Sequence, residues 1–396
     1  MNPFLAPERK NIGLLAACQA LLLTNNATVI SMNGLAGYAL ASDKSFATLP
    51  VTAWVVGAAL ASFPASMLMK RIGRRGGFTL GALIGMIGAL VSAAAVTMGA
   101  FALLCLGTMC LGMYHGFGQF YRFAAADAVR ANLKARAISL VLAGGLIGGI
   151  VGPESSKLTV DLLPVRYAGA YLFVIVFMII VVLILQLLQI PPPSDEERKG
   201  QARPLREIIA QSRFVVAVLC SAVAYGVMNL MMTATPLAMA MCGYPYLETA
   251  SVIGWHIIAM YGPSLFTGSL IQRFGIAQVM LAGIALLYIC VAIALSGTTV
   301  SHFWWTMFIQ GIGWNFLYVS GTTLVTETYQ PAEKAKAQGA NDVTIFLTMM
   351  VSSFSSGMLL ENQGWQTLNY LALPFITLAC IAIVWLFWIR RPAVPA

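Results

Sequence analysis

The sequence predicts an all-α membrane protein, with twelve transmembrane helices in two pseudo-symmetric six-helix bundles. Three observations predict it. Of 396 residues, 59% are hydrophobic and only 9% are charged. That is about a third of the charged fraction usual in soluble domains, and a soluble fold of this size has too little polar surface to cover so much apolar material. Twelve apolar runs are each long enough to cross a bilayer as a helix. Finally, the two halves of the chain repeat each other at an offset of about 200 residues. The same composition excludes disordered, collagen-like and disulfide-scaffold classes.

The runs fall at about 12–38, 46–69, 77–98, 101–126, 137–160, 168–190, 214–240, 250–271, 276–296, 303–326, 337–360 and 367–389, numbered here as spans 1 to 12. A membrane β-barrel would show short alternating segments instead. Span 1 follows Arg9 and Lys10 and is too long for a signal-peptide core, so it counts as a span. Six of the seven cysteines lie inside apolar runs and no C-x-x-C occurs, so neither a disulfide nor a metal site is expected. The one long polar segment, Pro191 to Arg213, opens with three prolines that stop a helix. It separates a first bundle, 1–190, from a second, 214–396, with 191–213 as a cytoplasmic linker. Within it, Pro204–Gln211 reads as solvated linker or as a short surface helix.

The net charge of +9 is mostly a topology signal. Nineteen of the 23 Lys and Arg fall in loops on one side, and only Lys44 and Arg166 on the other. Arg122 and Lys157 lie inside spans. Excess positive charge marks cytoplasmic loops, so both termini are expected in the cytoplasm. No basic tract interleaved with aromatics suggests nucleic acid.

The internal repeat has two landmarks. Ser66-Met-Leu-Met-Lys-Arg71-Ile-Gly73 after span 2 matches Gly268-Ser-Leu-Ile-Gln-Arg273-Phe-Gly275 after span 8, shifted by 202. Asp127 followed by Lys134-Ala-Arg136-Ala matches Glu327 followed by Lys334-Ala-Lys336-Ala, shifted by 200. Parallel six-helix repeats imply two similar bundles about an axis along the membrane normal, with solute bound near mid-membrane between them.

On these residues the chain resembles the major facilitator superfamily over essentially its whole length. Arg71, Gly73, Arg74 and Arg75 match that family's G-x-L-x-D-R-x-G-R-R signature, and Gly148-x-x-x-Gly152-Pro153 matches the start of its G-x-x-x-G-P-x-x-G-G motif. Glycines of this kind let helices pack closely, and a proline bends the span. Three departures matter. The signature aspartate is Lys70, with Gln272 in the second half, so the family's cytoplasmic latch must be altered. The second motif continues Glu154-Ser155-Ser156-Lys157, and span 4 has Thr108 where drug/proton antiporters carry an arginine. The resemblance implies gating roles for Arg71, Arg74, Gly152, Pro153 and Arg273, and the equivalent loop-proximal positions of Asp127 and Glu327 read both as cytoplasmic gate charges.

The resemblance also implies that spans 1, 4, 7 and 10 line a cavity, and their polarity agrees, since polar groups are costly in hydrocarbon without a partner or water. Gln19, Asn26 and Asn33 share one face of span 1, with Asn25 beside them. His115, Gln119 and Arg122 form a stripe on span 4, and Tyr225 and Asn229 a pair on span 7. Span 10 carries Gln310 and Trp314, with Asn315 and Tyr318 on an adjacent strip. Asn25, Asn26, His115, Gln119, Arg122, Tyr225, Asn229, Gln310, Trp314 and Asn315 are therefore the expected solute-binding set. Amides interleaved with aromatics suit a partly planar, polar organic solute better than a bare ion. The competing readings are that these amides bond neighbouring helices, and that Arg122 snorkels to the membrane surface.

The acids and histidines within spans are Glu154, Asp342, His115 and His256. Glu154 and Lys157, three residues apart, read as an ion pair, or Glu154 reads as the proton carrier. Glu154 ranks first for proton coupling and His115 second. Asp342, roughly 9 Å in from its span end, reads as a gate contact, a cap or a further proton site.

No phosphate loop, zincin or nucleophile-elbow motif appears. No catalytic cluster supports a membrane enzyme, and no signalling domain supports a sensor. The expected function is a secondary active transporter of the inner membrane, multi-pass and monomeric, without cofactor or metal. Proton-coupled uptake of a small polar aromatic solute, such as a vitamin- or flavin-like heterocycle, is the first reading. Proton-antiport efflux of aromatic drugs or metabolites is the alternative.

Overall fold

The chain is described by a computed structural model covering residues 4–42, 46, 49–190, 200 and 202–389. Among these residues there are helices and no strands. Helix covers every apolar run read from the sequence. The first half has Ala6–Leu40, the continuous Leu49–Met98, Phe101–Gly118 with Tyr121–Asp127, Lys134–Ala143 with Gly145–Thr159, and Ala168–Gln186. The second has Ser212–Met241, Tyr246–Tyr261 with Ser264–Phe274, Ile276–Ser296, Val300–Val325, Lys334–Tyr370 and Ala372–Val384. Leu205–Ile209 is a short helix within the segment read as linker or surface helix. The triproline stretch lies outside the described residues.

Eight helices are by themselves long and apolar enough to cross a membrane, among the described residues. The runs outside that set are spans 8, 10 and 11, for identifiable reasons. Span 8 is interrupted at Gly262–Pro263. Span 10 carries Gln310 and Asn315, and span 11 carries Asn341 and Asp342. Large apolar side chains such as Leu158, Met98 and Leu183 are exposed at 78%, 73% and 62%, as a surface solvated by lipid requires.

The repeat is visible in the backbone. Spans 2 and 3 meet at Gly73 with φ 80° and ψ 168°, and spans 8 and 9 meet at Gly275 with φ 91° and ψ 159°. Only glycine adopts this region at low cost, so both copies of the loop need glycine at the same place. Short 3-10 turns at Ala131–Leu133 and Pro331–Glu333 stand at corresponding positions, ahead of spans 5 and 11.

By contacts the chain forms two compact units. One holds Met1–Ala202 with Gln330–Phe346, and the other holds Arg203–Tyr329 with Leu347–Ala396. Span 11 therefore contributes its first residues to the first unit and the rest to the second. Equivalent pairings recur inside each. In the first, span 1 lies along span 5, and spans 2 and 3 pack on span 4. In the second, Thr348 of span 11 meets Gly226 of span 7, and spans 8 and 9 pack on span 10.

Candidate functional site

Span 5 sets the position of span 1. A Cβ at Gly148 would fall 2.6 Å from Leu23 Cβ and 2.7 Å from the Thr24 nitrogen, and one at Gly152 would fall 2.5 Å from Ala27 Cβ. The absent side chains let the two backbones approach, and Thr28 Oγ1 donates across the seam to the Gly152 carbonyl at 3.0 Å. This seam holds Asn25 and Asn26, 2% and 6% exposed, in the interior of the first unit.

There Asn26 begins a continuous polar chain. Its side-chain amide lies 2.5 Å from His115 Nδ1, and His115 Nε2 lies 2.8 Å from Gln119 Nε2. The helix of span 4 is interrupted between Gly118 and Tyr121. At that break Gln119 accepts twice from Arg122 Nη1, through its carbonyl at 2.7 Å and through Oε1 at 2.8 Å. Arg122 Nη2 donates to Asp342 Oδ1, which also accepts from Asn341 Nδ2 at 2.7 Å. Both charged side chains are 1% exposed. Arg122 thus does not snorkel, and Asp342 is an ion-pair partner rather than a helix cap. Trp54 and Phe346 wall the imidazole, with ring centroids 4.6 and 5.7 Å from it.

A second cluster surrounds Arg74 in the same unit. Its Nη2 lies 2.9 Å from Asp127 Oδ2, and Lys334 Nζ lies 3.3 Å from the same oxygen. Arg74 also donates to Gln338 Oε1 at 2.6 Å. Ser66 Oγ donates to the Ala335 carbonyl at 2.6 Å and Lys70 Nζ to the Ala332 carbonyl at 3.0 Å. Lys70 thus donates to a carbonyl where an aspartate could only accept.

In the second unit the aromatics converge. Trp314 stacks on Tyr318 with centroids 4.9 Å apart and planes at 25°. Tyr225 meets both edge-on, at 5.2 and 4.9 Å, and Tyr261 meets Trp314 at 5.6 Å. One turn before Trp314, Gln310 is fully buried. Neither its Oε1 nor its Nε2 has a hydrogen-bond partner among the described residues, nor does Trp314 Nε1. An unpaired buried polar group costs about 1–3 kcal/mol, so three such atoms on one turn are a poor arrangement for packing alone.

Comparison with known proteins agrees with this architecture. The profile of the Major Facilitator Superfamily matches residues 15–263 and 257–396. The chain belongs to the major facilitator superfamily. It is 40% identical, over 95% of each chain, to the riboflavin transporter RfnT of Brucella anthropi. It is 27% identical, over 90% of this chain and 86% of the other, to the uncharacterized MFS-type transporter YddS of Bacillus subtilis. The crystal structure of FucP in the outward conformation superimposes with a TM-score of 0.78 at 14% identity, covering 96% of this chain and 99% of that one, a likeness of fold. The protein is accordingly a membrane-embedded transporter of a small molecule, and not an enzyme.

Within this superfamily chain the sequence-read residues divide clearly. Asn26, His115, Gln119 and Arg122 are joined in one chain, and Tyr225, Gln310 and Trp314 lie together. Asn315 is engaged otherwise: its amide donates to the Met260 carbonyl and Ser264 Oγ and accepts from Thr267, tying span 10 to span 8. Asn229 bonds the Met349 carbonyl at 3.0 Å and Ser352 Oγ at 3.1 Å, tying span 7 to span 11. His256 meets the Met307 carbonyl at 2.7 Å. Glu154 is exposed, and the side chains of Pro153 and Lys157 lie outside the described residues, with the expected Glu154 pairing. Of the gating set, Arg74 and Asp127 form the ion cluster, Glu327 pairs with half-exposed Arg213 at 3.6 Å, and Arg71 and Arg273 are exposed.

Several participants were not read from sequence: Trp54, Tyr261, Phe346, Gln338 and Asn341. For the last two a signal exists. Lys334, Gln338 and Asn341 follow one another at helical spacing, a polar face at the start of span 11 that leads to Asp342.

Proposed function

We propose that this transporter carries a flavin-like heterocycle into the cell, coupled to protons, by alternating access. The observation that carries the solute class is the cluster of buried Trp314, Tyr318 and Tyr225 with half-buried Tyr261, beside which Gln310 and the Trp314 indole N–H have no hydrogen-bond partner among the described residues. Aromatic faces stack on a planar tricyclic ring, and an amide with free N–H and C=O matches the alternating carbonyl and imide N–H edge of a flavin. The 40% identity to a riboflavin transporter supports the same class. Asn25, Asn26 and His115 are the proposed contacts in the first unit, and Tyr225, Gln310 and Trp314 in the second. Asn315 leaves the proposed set because both ends of its amide are engaged with span 8, Asn229 because its amino group is tied to span 11, and Gln119 and Arg122 because they bond each other and Asp342.

The further assignments follow the sequence reading. Both termini face the cytoplasm on the charge bias, the membrane is the inner membrane, the two six-helix halves are 1–190 and 214–396, and the carrier works as a monomer. For the proton site the buried pair favours Asp342 over exposed Glu154, because a coupling group must exchange a counter-ion as the protein changes state. The ion cluster of Arg74, Asp127 and Lys334 is the proposed latch holding the start of span 11.

Growth and uptake of labelled riboflavin in a bacterium lacking both riboflavin synthesis and import test this reading. Expression should restore growth on low riboflavin and give accumulation that collapses with a protonophore. Restored export with no uptake would reverse the direction. Failure to move any flavin would remove the solute class.

A further inference from the structure

We propose that Gln119 is a positioning residue that writes the charge state of the Arg122–Asp342 pair onto the solute-facing amide of Asn26. This rests on the reading of Asn26 and His115 as solute contacts and of Asp342 as the proton site.

Three of these contacts together place the hydrogens. Arginine only donates, so the Gln119 side-chain atom 2.8 Å from Arg122 Nη1 must be its oxygen. Gln119 Nε2 then faces His115 Nε2 at 2.8 Å, and having only hydrogens to give it requires a lone pair there. His115 is therefore the neutral imidazole with its hydrogen on Nδ1. The Asn26 atom 2.5 Å from Nδ1 must accept that hydrogen, so it is the amide oxygen, with the group turned by 180° from its assigned orientation. The Asn26 amino group is thereby directed away from His115 while Asp342 is charged. Every step follows from where Arg122 is held.

Asp342 holds it there. Asp342 Oδ1 accepts from Arg122 and Asn341, while Oδ2 is buried without a hydrogen-bond partner among the described residues. Oδ2 is the atom that takes a proton from solvent when the site opens. The charged groups facing Asp342 are Arg122 from span 4 and Arg74 from the corner of spans 2 and 3, and Asn341 faces it from its own helix. His115 faces Arg122, with uncharged Trp54, Asn26, Gln119 and Phe346 around it. Protonation neutralises Asp342 and releases the Arg122 guanidinium. Gln119 is then no longer pinned and exchanges its oxygen and nitrogen. His115 moves its hydrogen to Nε2 through solvent exchange, with no net proton gained, and Asn26 offers its oxygen instead of its amino group. Proton and solute are linked through a reversal of hydrogen-bond polarity, without a shared atom.

The test is riboflavin binding to the purified full-length protein from pH 5.5 to 8.5, read by quenching of the vitamin's fluorescence. Wild type should bind about fivefold or more tighter at pH 5.5 than at pH 8.5, as uptake coupled to protons requires, a ratio on the scale of a typical coupling energy. Gln119→Met keeps the length of the side chain but cannot relay polarity. It should bind within about threefold of one wild-type plateau with a flat pH profile, although Arg122 and Asp342 are both present. Asp342→Asn should also be flat. A wild-type profile in Gln119→Met overturns the proposal, as does a flat profile in wild type.

A second measurement needs no solute. In protein labelled with 15N-histidine, the His115 signal, assigned by comparison with His256→Gln and His302→Gln, should report Nδ1–H at pH 7.5. Gln119→Glu, which can only accept, should move it to Nε2–H. Nε2–H in wild type overturns the proposal. Absence of riboflavin binding alongside the expected tautomers overturns the solute reading alone.

Discussion

Arg122 and Asp342 form an ion pair with each side chain only 1% exposed, joining the broken helix of span 4 to the first turns of span 11. A pair so buried contributes little net stability, because desolvation of both charges opposes their attraction. Removing one partner is a different matter, since it strands the other charge.

Arg122→Ala should therefore destabilise the folded protein by about 3–5 kcal/mol, whereas Arg122→Met with Asp342→Leu should be near neutral. Thermal unfolding of the purified variants measures both. Transport should be lost in both, which separates the pair's role in function from its role in stability. Equal destabilisation by the single and double variants would show that the pair is a packing element.

Within the first unit the Arg74–Asp127–Lys334 cluster fastens the start of span 11 to the ends of spans 2 and 4. Asp127→Asn should weaken that attachment. In a background with all seven cysteines replaced, Ser66→Cys, at a position 1% exposed in wild type, should react faster with a membrane-impermeant maleimide applied to inside-out vesicles. An unchanged labelling rate would mean that the ion cluster does not hold this face closed.

Gly148→Val places a branched side chain 2.6–2.7 Å from Leu23 Cβ and the Thr24 backbone. Overpacking of this kind typically costs about 1–3 kcal/mol. Because the seam carries Asn25 and Asn26, solute affinity should fall along with the melting temperature. A variant that melts earlier but binds normally would separate the seam from the site.

Trp314→Ala removes the face on which Tyr318 stacks. Aromatic contacts of this type are worth about 0.5–1.5 kcal/mol beyond area burial, so riboflavin binding should weaken roughly 2- to 12-fold or more, with Trp314→Phe between the two. Equilibrium titration of the purified variants gives the ratio. Affinity unchanged in Trp314→Ala would move the solute away from the second unit's aromatic cluster.

The fold was legible because lipid solvation and the repeat both leave plain marks. Hydropathy located every run, and the corresponding loops were readable from Arg71-Ile-Gly73 and Arg273-Phe-Gly275, whose glycines share one positive-φ conformation. The site was legible only in part. The stripe His115, Gln119, Arg122 was visible in spacing, and the three side chains are indeed joined, although the helix beneath them is broken at Gln119–Phe120. Spacing could not reveal that Asp342, 220 positions away, completes the chain, because that contact depends on how span 11 packs. Nor could it separate Gln310, whose amide has no hydrogen-bond partner among the described residues, from Asn315, whose amide is engaged with span 8. Both are amides on the same helix, and only the neighbouring helix distinguishes them.

The most direct test of the account is riboflavin accumulation in proteoliposomes of the purified protein. With the inside alkaline relative to the outside, labelled riboflavin should concentrate inside above its external level. The accumulation should vanish with a protonophore and in Asp342→Asn, while Asp342→Asn retains exchange of labelled for unlabelled riboflavin at equal concentrations. Accumulation that ignores the proton gradient, or an Asp342→Asn carrier that still concentrates riboflavin, would contradict it.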